Sequence, residues 1–99
     1  MSAGTERTVV LVVDDEPAIR RAVSAGLEAR GYAVLTAPNG QAALDAVASE
    51  SPAVVVLDLG LPDIDGVEVC RRLRRWTETP VIVLSAEGSE RRKVEALDE

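Results

Sequence analysis

Thr8-Val-Val-Leu-Val-Val-Asp-Asp-Glu-Pro17 decides how the rest of the chain reads. Thr8 to Val13 is a continuous apolar run without alternation, which marks a strand buried on both faces, the habit of parallel strands between helical layers. The run stops abruptly at Asp14-Asp15-Glu16. Pro17 then suits the first turn of a helix, and the acids ahead of it favour the positive end of the helix dipole. A buried strand, a sharp acidic loop and a helix together make the opening of a βαβ unit.

The same rhythm continues downstream. Ile19, Ala22, Val23, Gly26 and Leu27 recur at helical spacing and give the first helix an apolar face, which Gly31 brings to a stop. Tyr32 to Thr36 reads as a second strand. Pro38-Asn39-Gly40 breaks the chain, with Asn39 as N-cap of a second helix whose buried side is Ala43, Leu44 and Val47. Ser51-Pro52 ends that helix, Ala53 to Leu57 is a third apolar strand, and Asp58 comes immediately after it. The turn-rich stretch Gly60-Leu-Pro-Asp-Ile-Asp-Gly66 leads to a third helix, Gly66 to Arg75, and Val81 to Leu84 forms a fourth strand ending at Ser85. From Glu87 onward the chain is charged and helix-prone, with Val94 and Leu97 as its apolar positions. Met1 to Arg7 is polar and expected to fray as a flexible N-terminus, leaving one domain over residues 8–99. Strands alternating with helices predict right-handed βαβ crossovers, and hence an α/β fold: a doubly wound parallel sheet with helices on both faces.

Ninety-nine residues suffice for one domain with a modest core and a thin folding margin. Apolar residues at 46% and charged residues at 28% describe a globular chain. A formal net charge of −6 argues against direct nucleic-acid binding. The dense basic run Arg71, Arg72, Arg74 and Arg75 reads as a solvated helix face. The absence of histidine excludes His-based catalysis and His-ligated metal. Cys70 stands alone, so it forms no internal disulfide; between Val69 and Leu73 on a helical stripe, it reads as a buried structural thiol. With no signal-peptide pattern and no apolar run of membrane length, a cytoplasmic protein with no membrane partner is expected.

The chemistry lies at the carboxyl ends of the strands. Asp14 and Asp15 come directly after the first, Asp58 after the third and the Ser85 hydroxyl after the fourth. In an open parallel sheet these positions share the edge beyond the strands' carboxyl ends, where such folds bind ligands. In the flavodoxin-like order 2-1-3-4-5 the first and third strands are neighbours, so the three carboxylates converge. Converging carboxylates repel unless a cation sits among them, and an all-oxygen donor set selects a hard ion, Mg²⁺ in particular. A carboxylate is also a nucleophile toward phosphorus, and a nearby hydroxyl can hydrogen-bond the new phosphoryl oxygens. Each of these residues alone reads more simply as a turn or cap. Asp63 and Asp65 in particular read as structural turn residues.

The strings Val12-Val-Asp-Asp-Glu-Pro17, Leu57-Asp-Leu-Gly-Leu-Pro-Asp-Ile-Asp-Gly66, Arg71-Arg-Leu-Arg-Arg-Trp76 and Pro80-Val-Ile-Val-Leu-Ser-Ala86 cover nearly the whole chain. Together they resemble the response-regulator receiver domains of two-component systems, most like the OmpR/PhoB type and, within it, the Kdp-type regulators. The resemblance implies that Asp58 is the phosphoacceptor. It implies that Asp15, Asp58 and the backbone carbonyl of Gly60 ligate Mg²⁺, and that Asp14 holds the ion mainly through water. It implies that Ser85 is the switch hydroxyl and that the donor is a phosphohistidine on a sensor histidine kinase, within a phosphorelay that regulates transcription in a longer protein.

Departures from the family pattern set further expectations. Family members run on through a fifth strand ending in Lys-Pro and a last helix, so the chain reads as a receiver cut short, with order 2-1-3-4. Lys93, the only lysine, reads as a solvated helix residue rather than the family's phosphate contact, and Trp76 and Tyr32 are in the wrong places for the switch aromatic. A bare edge on Val81 to Leu84 would favour weak stability or self-association through that strand. Two other functions compete with the switch. A Mg²⁺-dependent aspartyl-phosphate phosphatase would carry Asp-x-Asp on its first strand, whereas here that pattern occurs only at Asp63-Ile64-Asp65. A degenerate receiver acting only as a binding or assembly module fits the missing lysine but not the intact acids.

Overall fold

A computed structural model of the chain describes residues 7–85 and 93–97. In chain order the elements are β1 (Val9–Val13), α1 (Pro17–Ala29), β2 (Ala33–Ala37), α2 (Gly40–Glu50), β3 (Val54–Asp58), α3 (Gly66–Leu73), β4 (Val81–Ser85) and β5 (Lys93–Leu97). They form one sheet in the order β2-β1-β3-β4-β5. The first four strands are mutually parallel and β5 runs antiparallel to β4. The doubly wound sheet with parallel order 2-1-3-4 expected from the sequence is therefore present.

The unbroken apolar run of β1 puts it at the centre, between β2 and β3, and Val10, Leu11, Val12 and Val13 are all buried. Register brings the strand ends level: Val13 lies beside both Ala37 and Leu57, and Asp58 beside Leu84. The loops leaving these strands therefore emerge along one rim.

The two faces of the sheet are unequal. On one, Leu11, Val13, Val55, Leu57, Val81 and Val83 meet Ala43 and Val47 of α2 and Val69, Cys70 and Leu73 of α3 in a continuous core. On the other, Val54, Val56, Ile82 and Leu84 are only half-buried. The helix on that side, α1, has no buried residue, and its Ile19 is 37% exposed. Gly31, at φ 98°, turns the chain out of α1 as its position predicts.

Several boundaries differ from the sequence reading. β2 lies one residue later, and α3 ends at Leu73, the chain continuing in tight turns through Thr77. Asp58 and Ser85 are the last residues of their strands rather than the residues just after.

The tail requires a larger correction. Residues 93–97, read as part of a helix-prone segment, form β5, with Lys93 opposite Ser85 and Leu97 opposite Val81. The β4 edge is thus paired along its length, which removes the basis for self-association through it. The expectation of a frayed N-terminus, for residues 1–6, lies outside the described residues, as does the tail between residues 86 and 92. No described helix is long and apolar enough to cross a membrane.

Candidate functional site: an acidic cluster on the sheet rim

Asp14 leaves β1 under tight backbone control. Its N–H donates to the Ala37 carbonyl at the end of β2 (3.1 Å), and its carbonyl accepts from Nη1 of Arg20 on α1 (2.8 Å). Its side chain is fixed as well, because the Glu16 N–H donates to Asp14 Oδ1 (2.9 Å). Asp15, next along, is exposed. Asp58 ends β3, the strand hydrogen-bonded to β1. Asp14, Asp15 and Asp58 each offer a carboxylate oxygen, and these three atoms lie within 4.8 Å of one another. Among the described residues this is the cluster of acids able to hold a metal ion.

The electrostatics arise from the geometry. Burial, and then the charges of Asp14, Asp15 and Glu16, push the Asp58 carboxyl above its ordinary value of 3.8, while the Gly60 N–H bonds it and pulls the other way. An oxygen-only set of crowded carboxylates, with the central one already reluctant to ionise, suits a hard divalent cation. Gly60 is exposed, two residues beyond Asp58, with its N–H turned to the Asp58 carboxylate. Ser85 closes β4, one residue past the partner of Asp58, so its backbone lies on the same rim.

The loop between β3 and α3 is held by close backbone contact. The Gly66 N–H donates to the Leu59 carbonyl (3.0 Å). A Cβ on Gly66 would stand 2.8 Å from Leu59 Cα and 3.0 Å from the Asp58 carbonyl oxygen, both backbone atoms, so only glycine fits. Asp65 caps α3 by accepting from the Glu68 N–H (2.9 Å), as its place in a turn-rich loop suggests. Asp63 does more than the turn role expected of it. Its carboxylate accepts from the N–H groups of Gly40 (2.8 Å), Gln41 (2.9 Å) and Ile64 (2.7 Å). Sequence reasoning missed this reach, and it missed Arg20 too, whose one signal is its place on the first turns of the helix behind the acidic loop.

The remaining chemistry-bearing residues serve the fold. Arg71 and Arg72 are exposed and pair with Glu68 (2.6 and 3.0 Å), while half-buried Arg74 bonds the carbonyls of Thr77 and Thr79. Cys70 is buried in the core, which pushes its thiol pKa up. A reactive thiolate needs the opposite shift.

Comparisons with known proteins agree with this fold. The family model described as response regulator receiver domain matches residues 10–99. The transcriptional regulatory protein KdpE of Mycobacterium tuberculosis is 55% identical over 91 residues, 92% of this chain and 40% of that protein. KdpE of Escherichia coli is 50% identical over the same length, again 92% of this chain and 40% of the relative. The chain thus spans about two fifths of the length of these relatives. Among solved structures, TrrA of Thermotoga maritima in complex with Mg²⁺ and BeF superposes with a TM-score of 0.78 at 38% identity, covering 85% of this chain and 74% of that one. The chemotaxis regulator CheY4 of Vibrio cholerae gives 0.78 at 32% identity, covering 87% and 74%. Motifs, sheet order and matched length converge: the chain belongs to the response-regulator family of two-component systems, as a receiver domain.

Proposed function

We propose that this receiver accepts a phosphoryl group on Asp58 from the phosphohistidine of a sensor histidine kinase, and that the modification switches its affinity for partners. The observation that carries the reading is the convergence of Asp14, Asp15 and Asp58 oxygens within 4.8 Å on the rim of the sheet. Asp15, Asp58 and the Gly60 carbonyl would hold Mg²⁺, with Asp14 acting mainly through water. When bound, the ion offsets the charge of the nucleophile and of the incoming phosphoryl oxygens. That the solved relative TrrA carries Mg²⁺ and BeF supports the same reading.

The chain's own residues account for the rest. An Asp58 carboxylate oxygen attacks phosphorus, the P–N bond of the phosphohistidine breaks, and its electron pair stays on the imidazole nitrogen. Asp58 is fixed by its place at the end of β3, and the Gly60 N–H orients its carboxylate. Positioning of this kind supplies most of the catalysis a phosphoryl transfer needs. Attack of water on the same phosphorus, with Asp58 as leaving group, would reset the switch. Ser85 on the neighbouring strand is the hydroxyl that would bond the phosphoryl oxygens and sense the modification. The similarity to KdpE-type regulators supports transcription control as the output of a longer protein.

The test is a mass measurement after incubation with acetyl phosphate and Mg²⁺. One phosphoryl group should be gained by the parent, and none by Asp58→Asn or in the presence of a chelator. Labelling that survives Asp58→Asn, or no labelling of the parent, would overturn the reading.

A further inference from the structure

The segment from Leu59 to Asp65 leaves the sheet directly after Asp58 and carries Gly60. Its base is closed by the Gly66 N–H on the Leu59 carbonyl. Its middle is fastened to another element, the start of α2, by its own Asp63. One carboxylate oxygen of Asp63 accepts from Gly40 and Ile64, and the other from Gln41. Gly40 and Gln41 are the first residues of α2, where backbone donors lack partners within the helix and the dipole favours an anion. Three backbone N–H groups hold the carboxyl below its ordinary range, which marks these as charge-assisted bonds.

As a helix cap, Asp63 complements Asn39 by taking the N–H groups of Gly40 and Gln41, which Asn39 does not reach. Asn39 caps α2 locally, accepting from the Ala42 N–H at 2.8 Å. What Asp63 adds besides is a link between segments 22 and 23 residues apart. The contact is close: a Cβ on Gly40 would stand 2.9 Å from Ile64 Cβ and 3.1 Å from the Ile64 carbonyl oxygen. Two residues before Asn39, Ala37 accepts the Asp14 N–H. Fixed backbone therefore runs from Asp58 through its loop to Asp63, across to the start of α2, and back through Ala37 to Asp14.

We propose that Asp63 is a positioning residue for the acidic cluster: by tying the loop that bears Gly60 to the start of α2, it sets the cation affinity of Asp14, Asp15 and Asp58 without touching the ion. This inference rests on the proposed cation site. It is tested on the full chain by calorimetric titration with Mg²⁺, alongside thermal melts, for the parent, Asp63→Ala, Asp63→Asn and Asn39→Ala. Asn39→Ala removes a bond from the same helix end but leaves the loop tether in place. Asp63→Ala should weaken Mg²⁺ binding by about tenfold or more, the usual effect of losing a residue that orients ligands. Asp63→Asn, which keeps the shape and loses one acceptor, should fall between. Asn39→Ala should lower the melting temperature and leave the affinity unchanged. Should Asp63→Ala fail to fold, the Asp63→Asn titration decides by itself. Parent-like affinity in the folded Asp63 variants would overturn the inference, and so would equal weakening by Asn39→Ala. A parent that binds no Mg²⁺ would instead sink the proposed cation site, and this inference with it.

Discussion

At the scale of single residues, Asp58 carries a cost that its neighbours impose. Burial and the nearby carboxylates raise its pKa, so the folded state holds the Asp58 proton more tightly than the unfolded chain does. Near neutral pH the ionised group therefore works against folding when no cation is present. Asp58→Asn should raise the melting temperature of the metal-free protein by a few degrees and abolish most of the further rise caused by Mg²⁺, both read from circular-dichroism melts. A variant that melts below the parent without metal would contradict this account of the cluster. Asp14, Asp15 and Asp58 were legible in the sequence because each lies at or just past the end of an apolar run, and β strands place such residues on one rim by rule. Asp63 was not legible. Its partners lie on another element, and their nearness depends on how α2 seats against the loop, which no local pattern encodes.

At the scale of elements, Asp58 and Asp63, shifted in opposite directions, act at different ends of the pH axis. Asp63, held low by N–H groups of α2 and its own loop, contributes stability that is full above its unfolded pKa and lost as pH falls through the lower folded value. Asp58 acts in the opposite sense: its burden is lifted as pH falls from neutral through its raised folded value. Metal-free stability should therefore rise on going from neutral to mildly acidic pH, then fall below about 4, the ordinary carboxylate range. Urea titrations across that range should show the maximum, and Asp58→Asn should remove its neutral side. Element types were readable along most of the chain, because β1, β3 and β4 are too apolar for anything but a buried strand. The tail shows where local propensity gives way. Its helix-prone sequence pairs with the edge of β4 that would otherwise be open, and backbone groups on an open edge need partners more than a short segment needs its preferred shape.

At the scale of the whole molecule, the sheet is covered unevenly. The side of α2 and α3 holds the continuous core, whereas α1 lies over the other side with no residue of its own buried. Elements with little buried apolar contact open with smaller free energies than the core does, as separate cooperative units. Amide hydrogens of α1 should accordingly exchange with deuterium well before those of β1, β3 and α3, in a partial opening that leaves the rest of the sheet closed. Because α1 begins just after the acidic loop and its Arg20 holds the Asp14 carbonyl, that opening should also loosen the proposed cation site. Mg²⁺ should therefore slow exchange in α1, whose Arg20 bonds the Asp14 carbonyl, more than in α3. Uniform slowing across the chain would mean that α1 opens only when everything does. If the difference is found, occupancy of the acidic rim reaches the least protected helix through a single guanidinium, and the receiver reports its ion as a change in how often α1 breathes.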